Sequence, residues 1–360
     1  LIVTGGGTGG HVFPALEIAR TARERGGSVL YLGSQRGMER RACERAGIEF
    51  LGFSSQGLPR RPSLATLRIA FHLLRATTLA KAALKRFRPD VVFSTGGYSS
   101  APVVAAARSR RVPYVLHEQN TVPGRVNRMF ASSAAAVAVV FRTGHERFAP
   151  VKVVRTGMPI RRELRDCIQG RLGFSQVSQD PSPIVLVLGG SQGAARLNDM
   201  ALATATRMAR HQIQWLHVTG PDGYHATLES LRKLAIQSRY EARAYLEAEE
   251  MAAALFSCTL VFGRSGGSLA ELAAFRKPSV LVPYPFSMGD HQRFNALEFQ
   301  EMGAALMIEN SDLTPATLES RILLWLENAA MRERASRALA EWDIPDATDR
   351  IMGLIGAAAR

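Results

Sequence analysis

Cysteine is scarce, aromatic residues are few, and no uninterrupted apolar run is long enough to cross a bilayer. Each absence closes a class. Three cysteines in 360 residues, Cys43, Cys167 and Cys258, have neither the pairing arithmetic of a disulfide scaffold nor metal-ligand spacing. They read as inert packing residues in a reducing cytoplasm. With aromatics at 7%, and without an RNA-reading signature or a basic zipper, a nucleic-acid reader is not indicated. The missing apolar run excludes a spanning helix, and Leu1 opening directly on an apolar triplet leaves no room for a signal peptide, so a soluble chain is expected. Acidic residues are also short, 31 against 45 Lys and Arg, for a net charge of +14. The deficit is local: residues 1–157 hold 24 basic and 8 acidic residues, and the remainder 21 and 23. A basic first half suits an anionic partner, and the charge alone does not choose between nucleic acid and lipid.

Glycine, by contrast, is concentrated where it has work to do. Thr4-Gly5-Gly6-Gly7-Thr8-Gly9-Gly10-His11 follows the apolar Leu1-Ile2-Val3 and runs into an apolar-periodic segment that Gly26 closes, with Pro14 expected to open the helix. Strand, glycine loop, helix is a device for bringing unpaired backbone N–H groups and a helix dipole to a phosphate or a developing oxyanion. Gly5-x-Gly7-x-x-Gly10 also fits a dinucleotide fingerprint. That reading needs an acidic residue closing the next strand, and the strand at 29–32 ends in Gly33-Ser34-Gln35 instead. His11, at the edge of the loop, is either a helix cap or a catalytic base.

The first half continues as α/β. A basic surface helix is expected over 37–46, then a Pro/Gly loop with Arg60 and Arg61, then a long helix over 63–87. In that helix Leu64, Leu67, Phe71 and Leu74 share one face, with Arg68 and Arg75 beside it, suiting either a core helix or a membrane-surface contact. The strand at 90–94 delivers Gly96, Gly97 and Tyr98, and the strand at 112–116 delivers His117, Glu118, Gln119 and Asn120. In an open parallel sheet these strand ends converge with the first loop. His117 and Glu118 read more readily as a polar brace than as a catalytic pair. A hinge is expected at 156–161. Beyond it the plan restarts with a strand at 183–188 and a second glycine loop, Gly189-Gly190-Ser191-Gln192-Gly193. Further strands are expected at 215–218, 259–262 and 279–282, with helices over 226–237, 251–256, 267–275 and 315–341. The expected fold class is therefore α/β, two Rossmann-like doubly wound domains. Their expected bounds are 1–157 and 158–341, with a last helix over 342–360 returning to the first domain.

Two segments of the second half carry chemistry. Arg264-Ser265-Gly266-Gly267-Ser268-Leu269-Ala270-Glu271 places an arginine before a helix whose first turns hold a carboxylate, suited to the helix dipole or to both hydroxyls of a ribose. Gln292 and Asn295, three apart, share a helix face that can meet sugar hydroxyls.

Taken in order, Gly5 to Pro14, Gly96-Gly97-Tyr98, His117-Glu118-Gln119-Asn120, Gly157-x-Pro159-Ile160-Arg161, Gly189-Gly190-Ser191-Gln192-Gly193-Ala194 and His291-Gln292-x-x-Asn295-Ala296 resemble the MurG family of N-acetylglucosaminyltransferases along essentially the whole chain. The resemblance implies a GT-B fold, two domains facing a cleft. It implies inverting transfer of N-acetylglucosamine from UDP-N-acetylglucosamine to the muramoyl 4-hydroxyl of lipid I, without a cofactor. It implies an anionic membrane surface as partner, and a peripheral place on the cytoplasmic face of the bacterial plasma membrane. The alternative is another UDP-sugar transferase of the same fold acting on a different acceptor. Carried over by position, His11 is the general base. Thr8, Gly9, Gly10, Asn120 and Arg161 line the donor side, Ser191 and Arg264 stabilise the diphosphate, and Gly267, Ser268 and Leu269 flank Glu271, which holds the ribose. Gln292 reads the sugar, and Gly96, Gly97, Tyr98, His117 and Glu118 stand on the acceptor side. No Asp-x-Asp pair is present, so no metal clamp is implied. The sequence departs from the family pattern twice, with Met158 in place of the usual Asn and with the Arg264–Glu271 segment one residue short.

Overall fold

Strand β1 (Ile2–Thr4) is fully buried and lies between β2 (Leu30–Ser34) and β4 (Val92–Ser94), all parallel. The remaining strands of this sheet are β3 (Glu49–Phe53), β5 (Tyr114–Glu118), β6 (Ala136–Val139) and β7 (Val153–Arg155), in the spatial order β3-β2-β1-β4-β5-β6-β7. The structure, a computed structural model, describes residues 1–54, 64–143, 148, 152–173, 180–189 and 194–360, with 64–71 described by their backbone. Alternation along the strands divides the core into two layers. Ile2, Leu30, Leu32, Val92, Tyr114 and Leu116 point to one face, under α3 (Leu64–Phe87) and α4 (Ala101–Ser109). Val3, Tyr31, Phe93 and Val115 point to the other, under α1 (Gly9–Glu24) and α2 (Met38–Ala46). The short α5 (Arg125–Phe130) follows β5.

The second sheet has the order β10-β9-β8-β11-β12-β13, again all parallel. Its strands are β8 (Ile184–Leu188), β9 (Gln214–Val218), β10 (Tyr240–Arg243), β11 (Leu260–Gly263), β12 (Ser279–Leu281) and β13 (Ala305–Met307). Helices α6 (Arg162–Ile168), α7 (Ala195–Arg207), α8 (Pro221–Leu231), α9 (Ala248–Ser257), α10 (Leu269–Ala274), α11 (His291–Glu301), α12 (Pro315–Glu327) and α13 (Ala329–Trp342) cover it. The chain divides into two compact units, Leu1–Ile160 with Asp346–Arg360, and Arg161–Pro345. The last helix, α14 (Ala347–Ala358), belongs to the first unit: Ile351 and Ile355 join the layer under α1, and Asp349 pairs with Arg25. Both halves are thus doubly wound α/β, as the sequence pattern predicts.

Several local expectations need correction. Helix α1 begins at Gly9, where His11 and Val12 N–H both bond the Thr8 carbonyl at 3.1 Å, so Pro14 sits in its second turn and does not open it. The ring costs only the hydrogen bond to the Gly10 carbonyl. Helix α8 starts at Pro221, straight after Gly220 at φ 79°, five residues before the expected start. The expected helix over 315–341 is two helices, because Asn328 leaves helical geometry and its Oδ1 caps Met331 N–H at 2.9 Å. Strands β3, β6, β10 and β13 are not anticipated; all are short, β6, β10 and β13 contain alanine, and β3 is interrupted by Gly52 and largely unburied, which hides the strand signal. Helix α2 is not wholly a surface helix, since Glu39 in its first turn is completely buried. The three cysteines are free and buried. Among the described residues no helix is long and apolar enough to cross a membrane.

Candidate active site

Each sheet reverses its strand order beside its first strand, between β1 and β4 in one unit and between β8 and β11 in the other. Loops leaving the carboxyl ends of such a pair diverge and open a crevice for ligands. In the first unit the loop after β1 is packed so closely that side chains are excluded. A Cβ on Gly6 would meet Glu39 Oε1 and Ser99 Oγ, each at 2.4 Å, and one on Gly97 would meet the Gly6 carbonyl at 2.2 Å. Gly96 and Gly97 both hold φ 85°, a left-handed backbone that carries the chain from β4 past the first loop. The Tyr98 ring lies against Gly7 and is 40% exposed. Tyr31 donates its hydroxyl to the Gly5 carbonyl at 2.6 Å from beneath.

His11 stands on the first turn of α1, at the mouth of these loops. Its Nδ1 is 2.8 Å from the Thr95 carbonyl, and Thr95 Oγ1 returns a hydrogen bond to the His11 carbonyl at 2.7 Å. A carbonyl oxygen only accepts, so Nδ1 carries the proton and Nε2 keeps its lone pair. Burial lowers the His11 pKa, and the Thr95 carbonyl and the Gln119 amide pull it partly back. Thr8 caps the same helix, exposed and with no side-chain capping bond; Gly9 is buried and Gly10 half-buried.

His117 and Glu118 are built as braces. His117 Nε2 donates to the Gly157 carbonyl at 3.0 Å, and burial pushes its pKa down to about 4. Glu118 is 1% exposed. Its Oε1 accepts from Asn120 N–H at 3.1 Å and Asn120 Nδ2 at 3.2 Å, and its Oε2 from Gly124 N–H at 2.9 Å and Asn127 Nδ2 at 2.8 Å. Both carboxylate oxygens are thereby occupied within the first unit, while burial raises the Glu118 pKa against the pull of those donors.

In the second unit Arg264 directly follows β11. Its Nη1 is held by the carbonyls of Val282 and Pro283, each at 3.0 Å, and by Asn310 Oδ1 at 3.1 Å, and the guanidinium lies over the Tyr284 ring. Its Nε is buried without a hydrogen-bond partner, and burial lowers its pKa to about 10. Residues 264–268 lie outside helical backbone, and Gly266 takes no left-handed conformation there. Gly267 is exposed and Ser268 half-buried, while the Leu269 side chain is 1% exposed, leaving its backbone as the part that can meet a ligand.

Glu271 is paired with Arg161, whose Nε reaches Glu271 Oε1 at 3.1 Å. Burial acts against the Arg161 charge, but Glu271 more than offsets it, and the guanidinium pKa stands above its ordinary value. Gln292 Oε1 accepts from Tyr284 N–H at 3.0 Å, which turns its Nε2 outward as a donor beside Gly266. Asn295 does not share that role: it is fully buried and donates to the Ser265 carbonyl at 3.1 Å. Met158 is buried, an apolar side chain where the family pattern has an amide. Ser191 lies outside the described residues.

Five buried residues to which the sequence assigned no role form networks in the two units. Gln119 and Thr95 join His11 to His117, and only the quoted His-Glu-Gln-Asn run carried a signal for Gln119. In the second unit Asn198 Oδ1 accepts from His217 Nε2 at 2.9 Å while Tyr240 donates to His217 Nδ1 at 2.7 Å, a buried network that ties α7 to β9 and β10. Arg60 and Arg61, which precede the long helix in sequence, lie outside the described residues. Of that helix's expected apolar face Leu74 is described and is 69% exposed, on the side away from the buried Ala76, Ala80, Ala83 and Leu84.

Models of two domain families match the chain: the glycosyltransferase family 28 N-terminal domain over residues 1–139 and the family 28 C-terminal domain over residues 184–351. A UDP-N-acetylglucosamine–N-acetylmuramyl-(pentapeptide) pyrophosphoryl-undecaprenol N-acetylglucosamine transferase of Desulfitobacterium hafniense is 38% identical, over 98% of this chain and 98% of its own. The protein of that name from Levilactobacillus brevis is 34% identical, over 100% and 99%. The crystal structure of Acinetobacter baumannii MurG superposes with a TM-score of 0.77 at 28% identity, covering 99% of this chain and 98% of the other.

Proposed function

The chain belongs to glycosyltransferase family 28 and, within it, to the MurG family, and we infer from that membership that it transfers N-acetylglucosamine from UDP-N-acetylglucosamine to the muramoyl 4-hydroxyl of lipid I, giving lipid II. The bond from the anomeric carbon to the β-phosphate oxygen breaks as the bond to the acceptor oxygen forms, with inversion. UDP leaves with the bonding pair, and the hydroxyl proton goes to a base.

That base is His11. The observation that carries the assignment is the 2.8 Å contact of Nδ1 with the Thr95 carbonyl, which leaves Nε2 unprotonated at the mouth of the loops. Gly96, Gly97 and Tyr98 shape the acceptor side, and His117 and Glu118 hold its loops from within. Thr8, Gly9, Gly10, Asn120 and Arg161 line the donor side. In the second unit Arg264 meets the growing charge of the diphosphate through its unpaired Nε, together with Ser191 and the backbone of Gly267, Ser268 and Leu269. Glu271 accepts from the ribose with the oxygen that Arg161 leaves, and Gln292 donates Nε2 to the sugar.

The first unit is thus the acceptor domain and the second the donor domain. The acceptor is a lipid, and α3 offers an anionic bilayer the exposed Leu73, Leu74 and Leu79 beside exposed Arg75, Lys81, Lys85 and Arg86. We assign the protein to the cytoplasmic face of the plasma membrane, bound peripherally.

Purified protein incubated with radiolabelled UDP-N-acetylglucosamine and a lipid I analogue is expected to release UDP and lipid II in equal amounts. Label released as free sugar, or moved only to other acceptors, refutes the assignment.

A further inference from the structure

Gln119 directly follows β5 and is 4% exposed. Its Nε2 donates to the Thr95 carbonyl at 2.9 Å, the same oxygen that accepts from His11 Nδ1. The same nitrogen stands 2.9 Å from His117 Nδ1 and 3.1 Å from the His117 carbonyl. Because His117 Nε2 spends its hydrogen on the Gly157 carbonyl, His117 Nδ1 is an acceptor, and the amide must face it with hydrogens. Turning the amide over would set its oxygen against three acceptors. Gln119 Oε1 is therefore left on the other side, buried and without a hydrogen-bond partner, on an amide that shares the Thr95 carbonyl with the His11 ring. A buried carbonyl left unpaired is destabilising, and apolar packing would not incur that cost.

We propose that Gln119 is a positioning residue for His11: its N–H holds the carbonyl that fixes the His11 tautomer, and its unpaired oxygen faces the imidazolium that forms when Nε2 takes the acceptor proton. The proposal rests on the reading of His11 as the base. The titratable groups around the pair do not compete for this role. His117, on the far side of the amide, is kept neutral by burial, with its pKa near 4. The Glu118 carboxylate is turned to Asn120, Gly124 and Asn127. What opposes the burial of a charged His11 is the Thr95 carbonyl and Gln119 itself.

The test follows the imidazole nitrogens of the full-length protein by NMR with histidine labelled in nitrogen-15, and kcat against pH with a lipid I analogue. In the unsubstituted protein His11 must carry its hydrogen on Nδ1 and His117 on Nε2; the opposite tautomer in either ring overturns the proposal before any variant is made. Gln119→Met keeps the length and removes both polar atoms. The His11 midpoint should fall, the acid limb of kcat should move with it, and kcat at neutral pH should drop about tenfold while the KM for UDP-N-acetylglucosamine holds. Gln119→Glu puts a charge beside the ring, and the midpoint and acid limb should rise. Shifts of opposite sign cannot come from loosened packing, which lowers the rate alike at every pH. A midpoint unmoved in both variants overturns the proposal. Midpoints that separate while the acid limb stays fixed support the coupling of Gln119 to His11 and remove His11 as the base.

Discussion

Arg161 Nε donates to Glu271 Oε1 across 3.1 Å, joining residues 110 apart in sequence, with side chains 14% and 18% exposed. The pair changes what Glu271 has to offer. One oxygen is committed to the guanidinium, so a ribose is met by the other, and the carboxylate cannot grip both hydroxyls symmetrically. Glu271→Gln should still weaken UDP more than 2′-deoxy-UDP, by about tenfold. Calorimetric titration with the two nucleotides gives the comparison; equal losses would return Glu271 to the role of a partner for Arg161 alone.

His11→Ala should lower kcat by roughly two to four decades and leave UDP affinity unchanged, since a general base contributes only as the proton moves. Because burial holds the His11 pKa below 6.5, the base is already neutral at neutral pH. The rate should be flat there and fall only as pH drops through that lowered value. A collapse of UDP affinity in parallel with the rate would make His11 a structural cap.

Two buried imidazoles, one in each unit, make the fold acid-sensitive. His117 is held near 4 and His217 near 3, both through burial. A depressed folded-state pKa gives stability that is complete above the unfolded value and is lost as pH falls toward the folded one. Each neutral ring should therefore cost roughly 1.4 kcal/mol per pH unit on the way down from 6.5. Denaturant titrations at several pH values should show this slope, and His217→Gln should reduce it by one proton in the second unit. An unchanged slope would mean that His217 is not the group being protonated.

Leu73 and Leu74 are 37% and 69% exposed, so replacing both with Ser should leave stability within about 0.5 kcal/mol. Pelleting with anionic vesicles and activity on full-length lipid I should fall, while activity on a short-chain analogue survives. Pelleting that does not change would take α3 away from the membrane.

Much of the site was legible in order along the chain. Glycine runs after apolar strands marked where backbone must come close, and the resemblance carried by His11, the His117–Asn120 run and Gln292 followed from residues a few positions apart. Short apolar runs ending in glycine turns marked the central strands of both sheets, because a parallel strand buried on both faces is apolar throughout, a local property. What the sequence could not supply were partnerships across the fold. That Glu271 is shared with Arg161, that Asn295 turns inward to Ser265, that Gln119 stands between two imidazoles, and that Glu39 lies buried beneath Gly6 depend on which strand ends the sheet order brings side by side. The residue types of the site were set by the chain itself. Tautomers, pKa directions and free donor atoms were decided only by tertiary structure, because each depends on a hydrogen bond or a loss of water that comes from residues tens of positions away.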